Sequence, residues 1–396
     1  MTRKRGSSEF TLIIGAGIVG LAVAYRLSVV RPWLRLTVIE KESEIASHQS
    51  GHNSGVLHSG IYYKPGSLKA ATCLRGRHDL IAFCEREGIP YKICGKTILA
   101  TNDAEAVRLQ RLFERGLSNG LTCTMLDRER LAEIEPHAAG VKAIHVGETG
   151  VVDFRRVCAQ FAYRLGEDGH RIVTSAKVIG VRDGNAGVTV ITTAGEFGAR
   201  YIINCAGLYS DKVASLARNR PNERIIPFRG EYYELRPEAS YLCRGLIYPV
   251  PGPRFPFLGI HLTRRVTGEV ECGPNAVLSF AKEGYSKSSI NPAEFVGMIG
   301  FPGFLRLAAH HWRYGLQEAF KCLSRRAFVN ALRKLVPEVE DEMLERAPAG
   351  VRAEMLDDFV IRESALTINV INAPSPAATV ALAIADSIIE TLDRKM

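Results

Sequence analysis

The sequence predicts an α/β protein in which a Rossmann-like nucleotide-binding domain is interleaved with an α+β domain built on a mostly antiparallel sheet. Three observations carry this. Thr11 to Glu42 reads as strand, glycine-rich turn, helix and strand. Arg200 to Gly207 (RYIINCAG) is a second buried strand ending in small residues, with a helix from Ser210. A further strand, Thr367 to Ile371, again leads into a helix. The order βαβ, insert, strands, βα, insert, βα implies a nucleotide domain whose sheet is finished late in the chain, the two inserts forming the second domain. The expected boundaries are 10–90, 145–222 and 340–396 for the nucleotide domain, and 91–144 with 223–339 for the other.

The opening stretch begins with Leu12-Ile13-Ile14, a short apolar run of the kind found in buried parallel strands. Gly15, Gly17 and Gly20 follow as G-x-G-x-x-G, and Ile18 to Leu27 has helical periodicity. The first glycine permits the tight turn, the second lets backbone approach a pyrophosphate, and the third lets helix and strand pack closely. The helix N-terminus offers unpaired N–H groups and a partial positive charge to phosphates. Leu34 to Ile39 is the second strand, and Glu40 stands where an acid can accept hydrogen bonds from ribose hydroxyls. That acid also argues against NADP, whose extra phosphate prefers an arginine. Ile18 and Lys41 complete the expected cofactor-binding set here. Leu12 to Leu27 is too short and too interrupted to cross a membrane, which takes ~20 apolar residues.

After Glu40 the chain is polar and rich in Gly, Ser and His until a helix over Ser67 to Gly88. Tyr91 to Ala100 reads as a strand, and Asp103 to Gly120, Asp127 to Glu133 and Phe154 to Gly169 as helices. Arg171 to Thr193 alternates as strands, strands dominate from Arg224 to Gly273, and Asn291 to Leu335 is helical.

With 46% apolar and 23% charged residues, the chain is neither disordered nor of low complexity. Its nine cysteines are scattered and never form C-x-x-C, which fits a reducing compartment and no zinc site. His48, His52 and His58 lie close together without an acidic cluster or helical spacing, so no metal is expected. The basic start, MTRKRGSSEF, has no apolar core and predicts a cytoplasmic chain. The net charge of +9 comes with no nucleic-acid motif, leaving an anionic membrane surface or an acidic small molecule as partner.

The segments HQSGHNSGVLHSGIYYKPGSLKA, PFRGEYYEL, FPFLGIHLTRR, GPNAVLSFAKEGY, PAGVRAE and NAPSPAAT, in register from about Phe10 onward, resemble the L-2-hydroxyglutarate oxidase/dehydrogenase family, within the FAD-dependent D-amino-acid-oxidase-like superfamily. The resemblance implies an FAD-binding domain and oxidation of L-2-hydroxyglutarate to 2-oxoglutarate, with electrons passed to oxygen or a membrane quinone. It departs in one place: Glu354-Met355-Leu356 leads straight to Asp357-Asp358-Phe359, where the family usually carries a longer loop.

By position and resemblance, Ser50, Gly51, His52, Asn53, Ser54 and Gly55 are expected to line the flavin, together with Gly350 and Val351. Cys205, Ala206 and Gly207 would lie near the adenosine or pyrophosphate, and Val178 near the adenine. Ser375, Pro376, Ala377, Ala378 and Thr379 would open the last helix toward the flavin, stabilising charge that builds there on reduction.

Loss of a hydride from the substrate Cα to flavin N5 requires a base for the hydroxyl proton, and a neutral imidazole suits that near pH 7. His58, just after the flavin loop, and His261, on a strand, both qualify, with the sequence leaning to His58. Strand alternation puts Gly259, His261 and Thr263 on one face. A dicarboxylate needs two cationic clamps, for which Arg352 and Arg229 are the candidates, with Tyr62, Tyr63, Lys64 and Tyr248 as helpers. Residues 295–335 combine aromatic and basic side chains, a pattern that suits an anionic bilayer as well as a helix packed on its own domain. Two rival functions share the expected fold: an FAD-dependent amine or amino-acid oxidase, and a flavin-binding protein without turnover.

Overall fold

The computed structural model describes residues 10–184, 187–217, 223–252, 259–354 and 359–396. The basic N-terminal residues 1–9, Phe257 and Leu258, and the short run at 355–358 lie outside them.

The chain divides into two compact units: Met1–Gly51, Phe154–Ile225 and Ala353–Met396 form the first; His52–Asp153 and Ile226–Arg352 form the second. The first is built on a six-stranded sheet. Its order is Val360–Glu363, Thr367–Asn372, Tyr201–Asn204, β1 (Phe10–Ile14), β2 (Arg35–Ile39), Arg171–Val173. All neighbours are parallel except the first pair. β1 is central, Ile13 standing between Ile203 and Val38, and its apolar run is what a strand covered on both faces requires.

Helix α1 (Ile18–Val30) packs against Phe154–Glu167 and Ala381–Asp393. Leu21, Ala22, Val23, Ala24 and Leu27 are completely buried, so α1 has no polar face to pattern it. Each of its larger side chains contributes about 1.5–3 kcal/mol of burial. Its one charged side chain, Arg26, is held bidentately by Asp386 at 2.9 and 3.0 Å. A three-stranded antiparallel sheet (Val178–Gly184, Gly187–Thr192, Gly195–Ala199) shares the apolar cluster of Leu12, Ile14, Val188, Val190 and Ile202.

The second unit is organised by a large mixed sheet running Val277–Leu278, Ile226–Leu235, Val270–Gly273, His261–Arg264, Leu246–Pro249, Lys96–Ala100, Lys142–Val146, Cys123–Leu126, with Leu344–Glu354 also on Ile226–Leu235. The junction of Leu246–Pro249 with Lys96–Ala100 is parallel; the other junctions along this order are antiparallel. One face is apolar: Leu99, Ile247, Leu262, Cys272 and Tyr233 pack under Phe328, Val329 and Leu332 of the helix Arg325–Arg333.

Capping residues set the helices that the sequence marks out. Ser67, Asn102 and Asp127 each accept a backbone N–H at the start of Leu68–Glu87, Asp103–Ser118 and Arg128–Ile134.

Four expectations need correction. Residues 52–90 and 145–153 group with the second unit, because Gly150–Val152 pairs with both Val56–Leu57 and Tyr91–Ile93. Leu344 to Arg352 also joins the second unit, through its pairing with Ile226–Leu235. The helical stretch 291–335 is three helices, Pro292–Ile299, Pro302–Leu323 and Arg325–Arg333. Pro302 has no N–H with which to continue the first, and the Ser324 side chain caps the third. The last helix starts at Ala381, not Ser375: Pro374 and Pro376 leave a hydrogen-bonded turn over Ser375 to Val380.

Candidate functional site

In the first unit the glycine loop is fixed by its own geometry. Gly15 has φ +102°, and a Cβ there would lie 2.4 Å from the Cys205 carbonyl oxygen. A Cβ on Gly20 would lie 2.0 Å from the Gly15 carbonyl oxygen. Gly17 is different: a Cβ would meet no backbone, only the Ser50 hydroxyl at 3.2 Å, a side chain that would have to give by a few tenths of an ångström. Glu40 is 9% exposed and accepts the Ala16 N–H at 2.8 Å and the Glu42 N–H at 3.1 Å. It therefore pins the loop as well as standing at the end of β2. Ser50 accepts the Ile18 N–H at 2.9 Å, capping α1 from a distant loop. No acidic residue occupies the first turn of α1, so nothing there opposes a bound pyrophosphate.

Around this loop, Lys41, Glu42 and His48 form a bonded cluster, with Lys41 Nζ 5.5 Å from the Tyr209 ring. Gly51 accepts from Arg155 Nε at 3.2 Å. Cys205 is buried beside Ala206 and Gly207, at the end of the strand Tyr201–Asn204. Asn204 steadies that turn by accepting the Ala206 N–H at 3.1 Å. Val178 is half-buried at the start of its strand, and Ser375 to Thr379 form the turn ahead of the last helix.

The second unit gathers the chemistry. Sheet register places Lys96, Tyr248, His261, Thr263 and Glu271 on the face opposite the apolar one, since Tyr248 neighbours Ile98, Leu246 neighbours Thr263, and Thr263 neighbours Glu271. The His261 ring stacks on Tyr248 at 3.8 Å, and its Nδ1 lies 3.3 Å from Thr263 Oγ1, which also bonds Tyr248. Lys96 Nζ lies 4.2 Å from the Tyr248 ring centre and 5.2 Å from that of Tyr62.

Burial tunes several of the titratable groups here. Burial, then the Lys96 charge, push the pKa of His58 down to about 3. Burial, then Lys96, Arg352 and His58, hold His261 well below its ordinary value. Burial pushes Lys96 down to about 7 and raises the Tyr62 and Tyr248 phenols. At pH 7 both imidazoles are neutral and can accept a proton. His58 keeps partial exposure, whereas His261 is 6% exposed with one ring face covered.

Arg352 belongs to this group through its field on His261 and on Tyr232. Val351 is buried beside it, and Gly350 gives close approach, a Cβ there lying 2.9 Å from the His52 carbonyl oxygen. His52 Nδ1 lies 3.2 Å from the Ala349 carbonyl and its ring 4.5 Å from that of Tyr285. Asn53 accepts the Gly55 N–H at 2.9 Å, shaping the loop through Ser54. Tyr63 lies close enough to Tyr62 to act on it electrostatically, while Lys64 is exposed on the turn.

The expected second clamp, Arg229, sits elsewhere. It shares a strand face with Glu231, opposite to that of Tyr232, and its guanidinium bonds Glu231 at 2.8 Å and the Ser286 carbonyl at 2.7 Å. Arg229→Met is expected to destabilise the protein by roughly 3 kcal/mol by leaving a largely buried carboxylate unpaired, read as a lower urea midpoint. The sequence does not single out Lys96: KTILA is an ordinary strand opening on a lysine, and the burial of all five residues emerges only in the fold.

The family model for FAD-dependent oxidoreductases matches residues 11–391. The chain belongs to the FAD-dependent oxidoreductase family. FAD is accordingly its cofactor, and the Gly17 approach, clear of other backbone, and the acid-free helix start fit the diphosphate. Within this family the chain is 46% identical over 388 residues to an L-2-hydroxyglutarate dehydrogenase of Indibacter alkaliphilus, covering 96% of this chain and 97% of that one. It is 42% identical to the mitochondrial L-2-hydroxyglutarate dehydrogenase of Homo sapiens, covering 100% and 91%, and 41% identical to the L-2-hydroxyglutarate dehydrogenase of Escherichia coli K12, covering 96% and 92%. Among solved structures, FAD-bound L-α-glycerophosphate oxidase from Mycoplasma pneumoniae superposes with a TM-score of 0.81 at 22% identity, covering 98% of this chain and 95% of that one. That likeness shows the shared oxidoreductase fold.

Proposed function

We propose that this FAD-dependent oxidoreductase oxidises L-2-hydroxyglutarate to 2-oxoglutarate. The observation that carries the reading is the polar face of the second unit: two imidazoles held neutral beside Lys96 and Arg352. Such a site attracts an anionic hydroxy acid and offers it a base. The relatives' shared name supplies the substrate.

FAD, when bound, supplies the two-electron acceptor for the hydride lost from the substrate Cα. The residues of this chain do the rest. Gly15, Gly17 and Gly20, with the start of α1, would hold the diphosphate, and Glu40 the ribose. Arg352 would orient the C1 carboxylate, since guanidinium and carboxylate match in geometry. His58 takes the hydroxyl proton, because it is neutral and keeps some access. His261, oriented by Thr263 and Tyr248, hydrogen-bonds the same substrate and holds it in register.

Anaerobic addition of L-2-hydroxyglutarate to the purified yellow protein is expected to bleach the flavin band near ~450 nm. Bleaching by amino acids or amines alone would replace this reading with an amine oxidase, and no bleaching by either class would leave a flavin protein without turnover.

For the electron acceptor we favour a quinone reached from a membrane surface. Among the described residues no helix is long and apolar enough to cross a membrane. Yet Val296, Leu305, Trp312, Leu316 and Phe320 are all more than half exposed, with Arg306 and Arg313 between them exposed as well. An apolar and basic surface of this kind suits the headgroup region of an anionic bilayer. Flotation with vesicles containing anionic lipid is expected at low salt and reduced at high salt; a protein that stays at the bottom in both argues against docking.

A further inference from the structure

Lys96 is 1% exposed, and no carboxylate lies within salt-bridge distance of its ammonium group among the described residues. Buried lysines are rare unless paired. What surrounds this one is aromatic: the Tyr248 and Tyr62 rings, at 4.2 and 5.2 Å. Aromatic faces ease the burial of a cation, and with its pKa pushed down to about 7 by burial the amine is poised to take up its charge fully when an anion arrives. Beside it, the Tyr62 hydroxyl is buried and makes no hydrogen bond. A buried donor left without a partner is destabilising, and in a native protein such a group calls for an explanation, a bound polar ligand being one. The sheet puts Lys96 on the same face as His261, the Tyr62 ring lies against its ammonium group, and the Lys96 field reaches both histidines. Arg229, the other cation expected to serve the substrate, is consumed by Glu231 and Ser286.

We propose that Lys96, with the Tyr62 hydroxyl, binds the distal carboxylate of the dicarboxylic substrate and so selects diacids over monoacids. This rests on the hydroxy-acid reading above and adds the residue that sets chain-end specificity. Arg352 then serves the C1 carboxylate and Lys96 the C5 carboxylate, with the histidines at the carbon that reacts. Binding also feeds chemistry. A diacid brings a negative charge to each of the two cations that depress His261, and to Lys96 beside His58, so the imidazoles become better bases when the site fills.

The test compares wild type with Lys96→Met, which keeps an apolar stem and removes the charge. Glutarate and pentanoate serve as non-reacting probes, titrated against the flavin spectrum of the holoprotein. L-2-hydroxyglutarate and L-2-hydroxypentanoate serve as substrates. In K96M, glutarate affinity should fall and the KM for L-2-hydroxyglutarate should rise by about 100-fold, while pentanoate affinity and the KM for L-2-hydroxypentanoate stay within about threefold of wild type. Lys96→Arg should recover part of the diacid preference.

Equal losses for diacid and monoacid would overturn the distal assignment, as would a fall in kcat with KM intact. If wild type binds glutarate through Lys96 but does not oxidise L-2-hydroxyglutarate, the substrate reading fails and the carboxylate anchor stands. If it oxidises L-2-hydroxyglutarate and K96M binds glutarate equally well, the anchor fails and the function stands.

Should K96M lose its flavin, wild type provides the second measurement. Tyr62, Tyr248, Cys73 and Cys94 near Lys96 are all shifted upward, and His58 and His261 downward. Lys96 is then the group of this set that loses charge as pH rises past about 7. Glutarate affinity should fall through that range while pentanoate affinity stays flat; a flat glutarate profile overturns the proposal.

Discussion

A Gly20→Ala variant is expected to emerge from purification colourless. Its new Cβ would lie 2.0 Å from the Gly15 carbonyl oxygen and 3.3 Å from the Cys205 Cβ. The first of these is backbone, with no rotamer through which to yield, so α1 must retract from the loop. Overpacking of this sort costs about 1–3 kcal/mol even where side chains can adjust, and more is expected here. The ratio of absorbance near ~450 nm to that at ~280 nm reads the result, since the flavin absorbs at the longer wavelength. Gly17→Ala provides the contrast. Its Cβ meets only the Ser50 hydroxyl at 3.2 Å, so the apoprotein should melt at the wild-type temperature while FAD binds more weakly. If Gly20→Ala retains stoichiometric flavin, the diphosphate does not use this loop.

His58→Asn should lower kcat by about 10²–10⁴-fold, the usual contribution of a positioned general base, and leave flavin content unchanged. His261→Asn should raise KM more than it lowers kcat; the reverse pattern would exchange the two roles. Acid stability gives an independent reading. In the folded protein His58 stays neutral down to pH about 3, while in the unfolded chain it protonates below its ordinary 6.5. The unfolded state therefore holds more protons between those values, and stability falls as pH drops from 6.5 toward 3. His58→Asn removes that contribution. Relative to wild type, its stability should rise across the same window by a few kcal/mol at most, on the order set by the shift. Urea midpoints at pH 7 and pH 5 would show it, and an unchanged difference between the two proteins would mean that His58 is not kept neutral by its surroundings.

Much of the fold is legible where the sequence acts locally. Gly15 and Gly20 mark the turn because no other residue fits the close backbone approaches found there, and Gly17 because it keeps the helix start clear. Ser67, Asn102 and Asp127 mark helix starts because a short polar side chain caps its own neighbour. The failures are non-local. Nothing within residues 52–90 announces that Val56–Leu57 will pair with Gly150–Val152. The site divides in the same way. His58 and His261 stand out because imidazole is rare and chemically apt. Arg229 misleads, although its position two residues from Glu231 already places both on one strand face. Lys96 is the reverse case: lysines usually end at solvent, and only the tertiary stack of Tyr62 and Tyr248 shows that this one does not.

The interleaving of the first unit has a consequence for biosynthesis. Tyr201–Asn204 lies between β1 and Thr367–Asn372 in the finished sheet. A nascent chain on the ribosome can form the β1 pairing long before its other neighbour exists, and at about 5–20 residues per second that wait lasts roughly ten to thirty seconds. Throughout it, an apolar parallel strand exposes an open edge, the feature most prone to pairing with another polypeptide. Translational pausing or nonsense truncation before residue 367 should therefore yield aggregates and chaperone-bound intermediates, even though every glycine and histidine proposed for the site has already been made.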